Sequence, residues 1–264
     1  MQCEAGTALK SLNKFFAPLA GILVFSGGVV LALPGLFHRR NRRWREFFYY
    51  FDLCGCQSLL IVLLICFLMG VVLGIQSALQ MSKVGTEIFM VDLIGFSVLK
   101  ELGPLMVAII ATGRAGSAFA AEIGTMKVNE ELNALQTLGI DPEAYLVIPK
   151  LCAMVLAMPL LTVCGDAAGI IGGMGVGISV CGIPAEAYWS RTIEVLDVAS
   201  LLGGLLKSVV FAALITLAGC YYGFASSGDA QGVGRAATQA VVASIFLVVI
   251  SDAVMTLLFS FVGW

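Results

Sequence analysis

Hydrophobic residues occur in this sequence as long unbroken runs rather than in an alternating pattern. Runs of about 20 apolar residues are typical of membrane-spanning helices, whereas membrane β-barrels alternate apolar and polar positions. Five runs predict five transmembrane helices, at residues 53–79, 88–121, 145–180, 201–224 and 236–262. The pattern therefore predicts an all-α integral membrane protein.

A further apolar stretch, residues 15–37, precedes the first run. By hydropathy it fits either a spanning helix or a signal peptide. The arginine-rich residues 38–45 follow it directly, which argues against export and cleavage. Its prolines and glycines argue against a regular span. We expect residues 1–50 to form an N-terminal interfacial region, with a helix on the membrane surface or half inserted, and residues 51–264 to form the transmembrane domain.

Arginines set the expected orientation of the spans. Five of them stand just before the first run, at positions 39, 40, 42, 43 and 45. Positive charge beside a span marks its cytoplasmic end. The loop 122–143 and residues 226–235 are then expected in the cytoplasm, and residues 181–200 outside.

Composition narrows the possible functions. The chain is 59% hydrophobic and 12% charged, with a formal net charge of -2, so it lacks the basic field of a nucleic-acid-binding protein. One histidine, His38, excludes metal sites built from several histidines, and we expect no metal or catalytic site. The sequence has no G-x-x-x-x-G-K-[ST] motif, so a separate subunit would bind any ATP, and no cofactor is expected in this chain. The eight cysteines are expected to be small buried side chains rather than disulfides.

Charge inside an apolar run is costly and marks functional candidates, of which four stand out: Lys100, Glu101, Lys207 and Asp252. We expect Lys207 to pair with Glu101 and Asp252 to pair with Lys100. Adjacent helical residues diverge by about 100°, so one of Lys100 and Glu101 should face a cavity and the other a neighbouring helix. A purely structural ion pair, or a Lys207 that reaches toward the outer interface, would also fit.

A predicted break follows the first of these charges. Gly103 and Pro104 stand in the second run, and Pro104 has no amide hydrogen to donate, which predicts a kink or an unwound turn. Broken helices at this depth commonly line substrate cavities. Asp166 in the third run has no evident role. Small residues recur every four positions, at 165, 169, 173 and 177, which fits packing within one subunit or a dimer contact equally well.

The loop between the second and third runs has a helical pattern. Its apolar residues approximate one stripe, at Ile123, Met126, Leu132, Leu135 and Leu138. We predict a short amphipathic helix at about 122–140, ended by Gly139, with the next helix starting at Asp141-Pro142. This helix is either a connector on the membrane or a docking helix for a soluble partner.

Several motifs carry a resemblance to a known family. They read KELGP at 100–104, GRAGSA at 113–118, AEIGTM at 121–126, TLGIDP at 137–142, KSVVF at 207–211 and GRAAT at 234–238. Over about residues 50–262 the sequence resembles the MlaE (YrbE) family of ABC-transporter permeases.

The resemblance implies a phospholipid-transport permease of a bacterial inner membrane. It implies a homodimer of five-span subunits with an N-terminal interfacial helix. It also implies a cytoplasmic ABC ATPase that binds ATP, a periplasmic MCE-domain protein that carries lipid, and in many systems a STAS-domain protein. The lipid cavity would lie at the dimer interface beside Lys100, Glu101 and Lys207.

The same resemblance makes the loop helix a coupling helix that docks the ATPase. Its candidate docking residues are Glu122, Gly124, Thr125, Met126, Asn129, Glu130 and Glu131. A different class of function stays open on the residues alone. An ion-coupled secondary transporter would use the buried carboxylates of Glu101, Asp166 and Asp252 as proton or sodium sites.

Overall fold

The structure is a computed structural model that describes residues 21–22, 25–27, 29, 44–83 and 86–262. Throughout this described part the regular elements are helices, without a strand. Five of the helices are long and apolar enough to cross a membrane. The predicted all-α membrane class and the five predicted spans are therefore confirmed.

We number the helices of residues 44–262 in chain order. The spanning helices are α1 (Trp44–Met81), α2 (Met90–Val128), α4 (Pro142–Ser179), α6 (Val198–Phe224) and α7 (Ala230–Val262). Two short helices lie in loops, α3 (Glu131–Thr137) after α2 and α5 (Ala185–Val195) after α4. A single 3₁₀ turn, Glu87–Phe89, leads into α2. Four spans, α1, α4, α6 and α7, begin earlier than the apolar pattern does, and α1 starts with the amphipathic turns of WREFFYYF.

Turns of π-helix, which are wider than α-helical turns, occur in α1 and α2. They are Asp52–Cys56, Val98–Leu102 and Thr112–Gly116. The second ends directly before Gly103, whose amide donates to the carbonyl of Val98. The turn before Pro104 is thus widened, which accommodates the hydrogen bond that proline cannot donate. The helix continues through this point, so α2 is not unwound there.

Small residues bring the spans together. A Cβ atom at Gly70 on α1 would overlap the carbonyl of Gly169 on α4, and one at Gly219 on α6 would come within 2.7 Å of the carbonyl oxygen of Gly116 on α2. These approaches lie within one subunit, so the packing interpretation holds for Gly169 and Gly116. Gly113, by contrast, borders open space, with no described atom within 4 Å of the place that a methyl group would take.

An apolar core joins α1, α2, α4 and α6. Its fully buried members include Val107, Phe119, Met158, Phe211 and Ile215. Helix α7 is the least enclosed span, since Val254, Leu257 and Phe261 in its last turns are half or more exposed. This face meets either lipid or another chain.

Six described residues belong to the predicted N-terminal interfacial helix, and all six are helical. The ring of Phe25 contacts Tyr221 and Phe224 at the end of α6, and Val29 is 1% exposed. The remainder of residues 15–37 and arginines 39–43 lie outside the described residues, so whether this segment spans the membrane or lies along it stays a prediction.

Candidate functional site

A network of charged and polar side chains centres on Lys207 of α6, which is 2% exposed. Its Nζ atom donates to Glu101 Oε2 at 2.7 Å and to Thr256 Oγ1 at 2.8 Å, and lies 2.9 Å from Asp252 Oδ1. The Thr256 hydroxyl donates to Glu101 Oε1 at 2.8 Å. The network therefore ties α2, α6 and α7 together at one depth.

The partners of these charges differ in part from the sequence prediction. Lys207 and Glu101 form the expected ion pair. The pairing of Asp252 with Lys100 is wrong, because Asp252 contacts Lys207 instead. The Nζ atom of Lys100 lies 5.3 Å from the centroid of the Phe96 ring, and within the described part it has no carboxylate within ion-pair distance.

A cavity of about 250 Å³ opens beside this network. Helices α2, α6 and α7 line it, with Lys100, Glu101, Ser200, Thr256 and Phe259 among its walls. The expectation that Lys100 and Glu101 face different ways is wrong, since both reach this cavity. They lie in the widened turn Val98–Leu102, where successive residues diverge less than in an α-helix.

The cavity lies towards the ends of α6 and α7 that the sequence predicts to be on the outer side. Ala199 and Ser200 belong to the first turn of α6, and Ser260 to the last turns of α7. Both of these helix ends are on the outer side when the arginines before α1 are cytoplasmic. Ligands would thus reach the charged network from the outer leaflet or from the space beyond it.

Behind the cavity, Asp166 of α4 packs against the widened turn. A Cβ atom at Gly103 would overlap the Asp166 carboxylate, so this contact requires glycine. Asp166 is 5% exposed, and its Oδ1 atom has no hydrogen-bond partner in the described residues. The sequence left Asp166 without a role because nothing in the local pattern shows that it meets Gly103, 63 positions away.

The predicted coupling helix is divided in the structure. Helix α2 continues to Val128, and the chain then turns at Glu130, whose φ angle is 60°, before α3 begins. A single helix over about 122–140 is therefore wrong. Asp141 accepts a hydrogen bond from the amide of Glu143 and starts α4 as predicted. Of the candidate docking residues, the structure places Glu122, Gly124, Thr125 and Met126 in α2, Asn129 and Glu130 at the turn, and Glu131 in α3.

Glu122 takes part in a second network, near the ends of the spans that the arginine pattern predicts to be cytoplasmic. Its Oε1 atom accepts a 2.6 Å hydrogen bond from the Tyr50 hydroxyl and lies 3.3 Å from the Nζ atom of Lys150 on α4. The Glu122 side chain is 37% exposed. Its contact with an ATPase stays a prediction. Within the subunit the Glu122 carboxylate already contacts Tyr50 and Lys150.

Lys150 is fully buried in this second network. Its Nζ atom lies 3.1 Å from the Tyr50 hydroxyl, 4.5 Å from the centroid of the Tyr50 ring and 5.8 Å from that of Phe119. Sequence reasoning missed this residue. The rule applied to Lys100, that a charge inside an apolar run needs an explanation, would have found Lys150 in the third run.

Lys127 connects the docking end of α2 to α6. Its Nζ atom donates to the carbonyl oxygens of Phe224 and Ser226, each at 2.7 Å. Cations at a helix C-terminus satisfy free carbonyls and interact favourably with the helix dipole. The end of α6 and the docking loop are thus held to one another.

Comparisons with known proteins identify the family of the chain. The family model described as Permease MlaE matches residues 47–258. A probable ABC transporter permease protein of Rickettsia typhi is 41% identical over 202 residues, 76% of this chain and 78% of the relative.

Two further relatives cover more of the chain. The intermembrane phospholipid transport system permease protein MlaE of Haemophilus influenzae is 32% identical over 250 residues, 94% of both chains. The chloroplastic protein TRIGALACTOSYLDIACYLGLYCEROL 1 of Arabidopsis thaliana is 32% identical over 94% of this chain and 70% of its own. The names of the two bacterial relatives describe transport permeases rather than enzymes. With the family model matching most of its length, the chain belongs to the MlaE permease family.

Proposed function

We propose that this protein is the permease subunit of an ABC transporter that moves phospholipids between a bacterial inner membrane and a periplasmic MCE-domain carrier. The observation that carries the proposal is a charged cavity in an otherwise apolar membrane domain, beside Lys100, Glu101 and Lys207. Its place towards the predicted outer ends of α6 and α7 suits exchange with a carrier on that side.

The two lysines have different roles in this proposal. Lys207 is held between Glu101 and Asp252, so its charge is already balanced and it positions the wall of the cavity. Within the described residues Lys100 has no carboxylate at ion-pair distance, and its ammonium group, beside the Phe96 ring, is the point charge that attracts a lipid phosphate. Phe259 and the first turn of α6 supply apolar walls for the acyl chains.

A second copy of the chain belongs to the proposal. Thr256, whose hydroxyl is paired with Lys207 and Glu101, and Ser260 line the cavity from α7, and both are exposed in a single protomer, where acyl chains would offer this polar surface no hydrogen bonds. The same helix exposes Val254, Leu257 and Phe261. A homodimer through this side of the molecule would cover the apolar residues and enclose the polar cavity between two subunits.

Energy would come from a cytoplasmic ATPase that docks on α3 and binds the ATP, in some systems together with a STAS-domain protein. Leu132 anchors α3 in the core, while Glu130 and Glu131 are exposed. Glu122 on α2 and Lys150 on α4 flank the docking loop and are paired. A displacement of α3 would therefore reach both spans together, and the permease itself performs no covalent chemistry.

The lipid role is tested by ATP-dependent transfer of phospholipid from proteoliposomes containing the whole complex to the soluble carrier. Lys100→Ala should lower the transfer rate at least tenfold, since it removes the phosphate-binding charge, and Glu101→Ala and Lys207→Ala should also lower it. Lys83→Ala, an exposed lysine after α1, is the matched control. Wild-type transfer by all three cavity variants would refute the proposal.

Docking is tested by co-purification. Glu130→Lys and Glu131→Lys should reduce recovery of the ATPase severalfold while the permease still inserts, because both side chains are exposed beside α3. Glu186→Lys, on the opposite side of the membrane, is the control for a general effect of charge reversal. Normal ATPase recovery with both docking variants would contradict the assigned surface.

One observation favours the second candidate, an ion-coupled secondary transporter. Asp166 is a buried carboxyl group whose Oδ1 atom lacks a hydrogen-bond partner in the described residues. Such a transporter would move substrate under a proton or sodium gradient without ATP. Gradient-driven transfer that is abolished by Asp166→Asn and independent of ATP would favour this function over the first.

A further inference from the structure

Helix α5, Ala185–Val195, lies outside the spans and has three distinct sides. Tyr188 and Thr192, four residues apart, are 0% and 3% exposed and face the bundle. A second side is apolar yet exposed, and a third is polar. With about 100° per residue, the exposed apolar side lies roughly a quarter turn from the bundle side, and the polar side lies opposite the bundle.

The bundle side of α5 is held firmly against the start of α2. Arg191 donates two hydrogen bonds to the Asp92 carboxylate, at 2.8 and 2.6 Å, and its Cζ atom lies 5.7 Å from the centroid of the Phe89 ring. The hydrogen bonds to Asp92 raise the pKa of Arg191, so this contact stays charged. Bidentate pairs of this kind fix orientation as well as position. The directions of the other two sides of α5 are therefore fixed relative to α2.

The exposed apolar side consists of Trp189, Ile193 and Leu196, which are 55%, 59% and 37% exposed. Their spacing of four and three residues puts them in one stripe. The polar side is formed by Glu186, Ser190 and Glu194, all exposed, of which Glu194 lies 3.0 Å from Arg191; the exposed Asp197 follows just beyond the helix. A helix with one apolar flank and one acidic flank, fixed to a membrane domain, suits the boundary between lipid and water.

The position of α5 along the chain puts it at that boundary. It precedes α6 by two residues, and Ala199 and Ser200 in the first turn of α6 line the cavity. The loop that carries α5 is on the outer side by the distribution of arginines. The apolar stripe is therefore level with the outer end of a span, and its last residue, Leu196, stands three residues before Ala199 of the cavity wall.

We propose that the stripe of Trp189, Ile193 and Leu196 is a lipid-contact surface that seats in the outer leaflet, at the level where headgroups meet acyl chains. Tryptophan favours this level because its ring is apolar and its N–H group can reach water. The acidic flank favours zwitterionic over anionic phospholipids, since carboxylates attract the cationic amines of the former and repel the anionic headgroups of the latter. This inference depends on the orientation of the chain in the membrane and not on phospholipid transport.

The test is fluorescence of Trp189 in the full-length chain, reconstituted in nanodiscs of phosphatidylcholine with bromine at defined depths of the acyl chain. Trp44→Phe and Trp264→Phe leave Trp189 as the reporter. Shallow bromines should quench its emission at least twofold more than bromines near the chain end. Emission that is quenched by iodide in water and by neither brominated lipid would overturn the proposal, and so would strongest quenching by the deepest bromines.

Matched variants test the stripe itself. Ile193→Asp, on the apolar side, should lower quenching by the shallow bromines at least twofold and shift the emission to the red. Ser190→Asp, three residues away on the polar side, should change neither. Replacing the phosphatidylcholine with brominated phosphatidylglycerol should weaken quenching. Equal quenching in both lipids would refute the selection by charge, and loss of iodide access only when the periplasmic carrier is added would assign the stripe to a protein partner instead.

Discussion

Two buried lysines, each paired with a glutamate of α2, have opposite surroundings. Lys207 contacts Glu101, Asp252 and Thr256 beside an open cavity. Lys150, towards the other end of the spans, contacts Glu122 and Tyr50 and lies beside aromatic rings. The chemistry of the two pairs is alike, so the presence of a cavity, and not of charge, separates a candidate binding site from a structural joint.

This difference has an energetic meaning. Burial of an ion pair is costly, and loss of one partner is costlier still where water cannot reach the other. Glu101 borders the cavity, so water or a ligand headgroup can solvate it. The two lysines are about equally buried and the two glutamates equally exposed, at 37%, so the networks differ in the cavity beside Lys207 and in the Tyr50 and Phe119 rings beside Lys150. We therefore expect damage at Lys150 to appear as lost stability and damage at Lys207 to appear as lost transport.

The largest expected effect separates the two lysines directly. Lys150→Met should lower the free energy of unfolding by about 2–4 kcal/mol, since Glu122 and Tyr50 lose their cation. Lys207→Met should cost less stability and should reduce lipid transfer per folded molecule much more strongly. Denaturant unfolding in detergent and the transfer assay measure both quantities. A greater stability loss for Lys207→Met than for Lys150→Met would reverse the comparison.

The turn beside the cavity gives the next largest effect. Gly103→Ala should lower the free energy of unfolding by about 1–3 kcal/mol, since the added methyl group would overlap the Asp166 carboxylate. Gly113→Ala, in another π-helical turn of the same helix with open space around it, is the control and should change stability by about 1 kcal/mol at most. Thermal unfolding of the two variants in one detergent checks this. Equal losses would mean that α2 tolerates displacement at Gly103.

Single hydroxyl groups give smaller effects in each network. Tyr50→Phe should cost about 1–2 kcal/mol, because its hydroxyl binds both Glu122 and Lys150. Thr256→Val should cost about 1 kcal/mol and should also lower lipid transfer severalfold. If Tyr50→Phe impairs transfer per folded molecule as much as Thr256→Val does, the inner network takes part in transport beyond holding the spans.

The smallest effect is expected where a buried polar group has neither partner nor cavity. The hydroxyl of Tyr188 has no hydrogen-bond partner in the described residues, so Tyr188→Phe should change stability by about 0.5 kcal/mol or less at neutral pH. Burial raises the pKa of Tyr188 from 10.0 to about 12. The folded state therefore holds this proton more tightly than the unfolded state, and wild-type stability should fall as pH rises from about 10 to about 12. Unfolding curves of Tyr188→Phe should lack that decline.

The apolar pattern alone was enough to predict the number and type of the spans. It was less reliable at their ends, where α1 begins with amphipathic turns and α2 continues to Val128. Hydropathy indicates which residues lie in the apolar layer of the membrane. It does not show where a helix ends when its last turns extend beyond that layer. The division of the docking loop also escaped prediction, because it depends on one backbone angle at Glu130.

The charges of the candidate site could be predicted as a set, but their partners could only partly be predicted. The rule that buried charge is costly selects Lys100, Glu101 and Lys207 from the sequence. Whether Asp252 meets Lys100 or Lys207 depends on how α7 crosses α2 and α6. Lys100 and Glu101 share one cavity because they lie in a π-helical turn. Two adjacent residues in a sequence give no sign that the helix is widened there.

At Glu130 the chain adopts a left-handed backbone that side chains other than glycine, asparagine or aspartate seldom accept. A bend fixed by backbone torsion changes angle less readily than one held by a few surface contacts. The loop proposed to dock the ATPase would then move as a rigid unit and not as a flexible connection. Glycine at this position would fit the same φ angle but would allow a wider range of backbone torsions. A transporter with Glu130→Gly should therefore hydrolyse ATP at the normal rate and move less lipid per ATP.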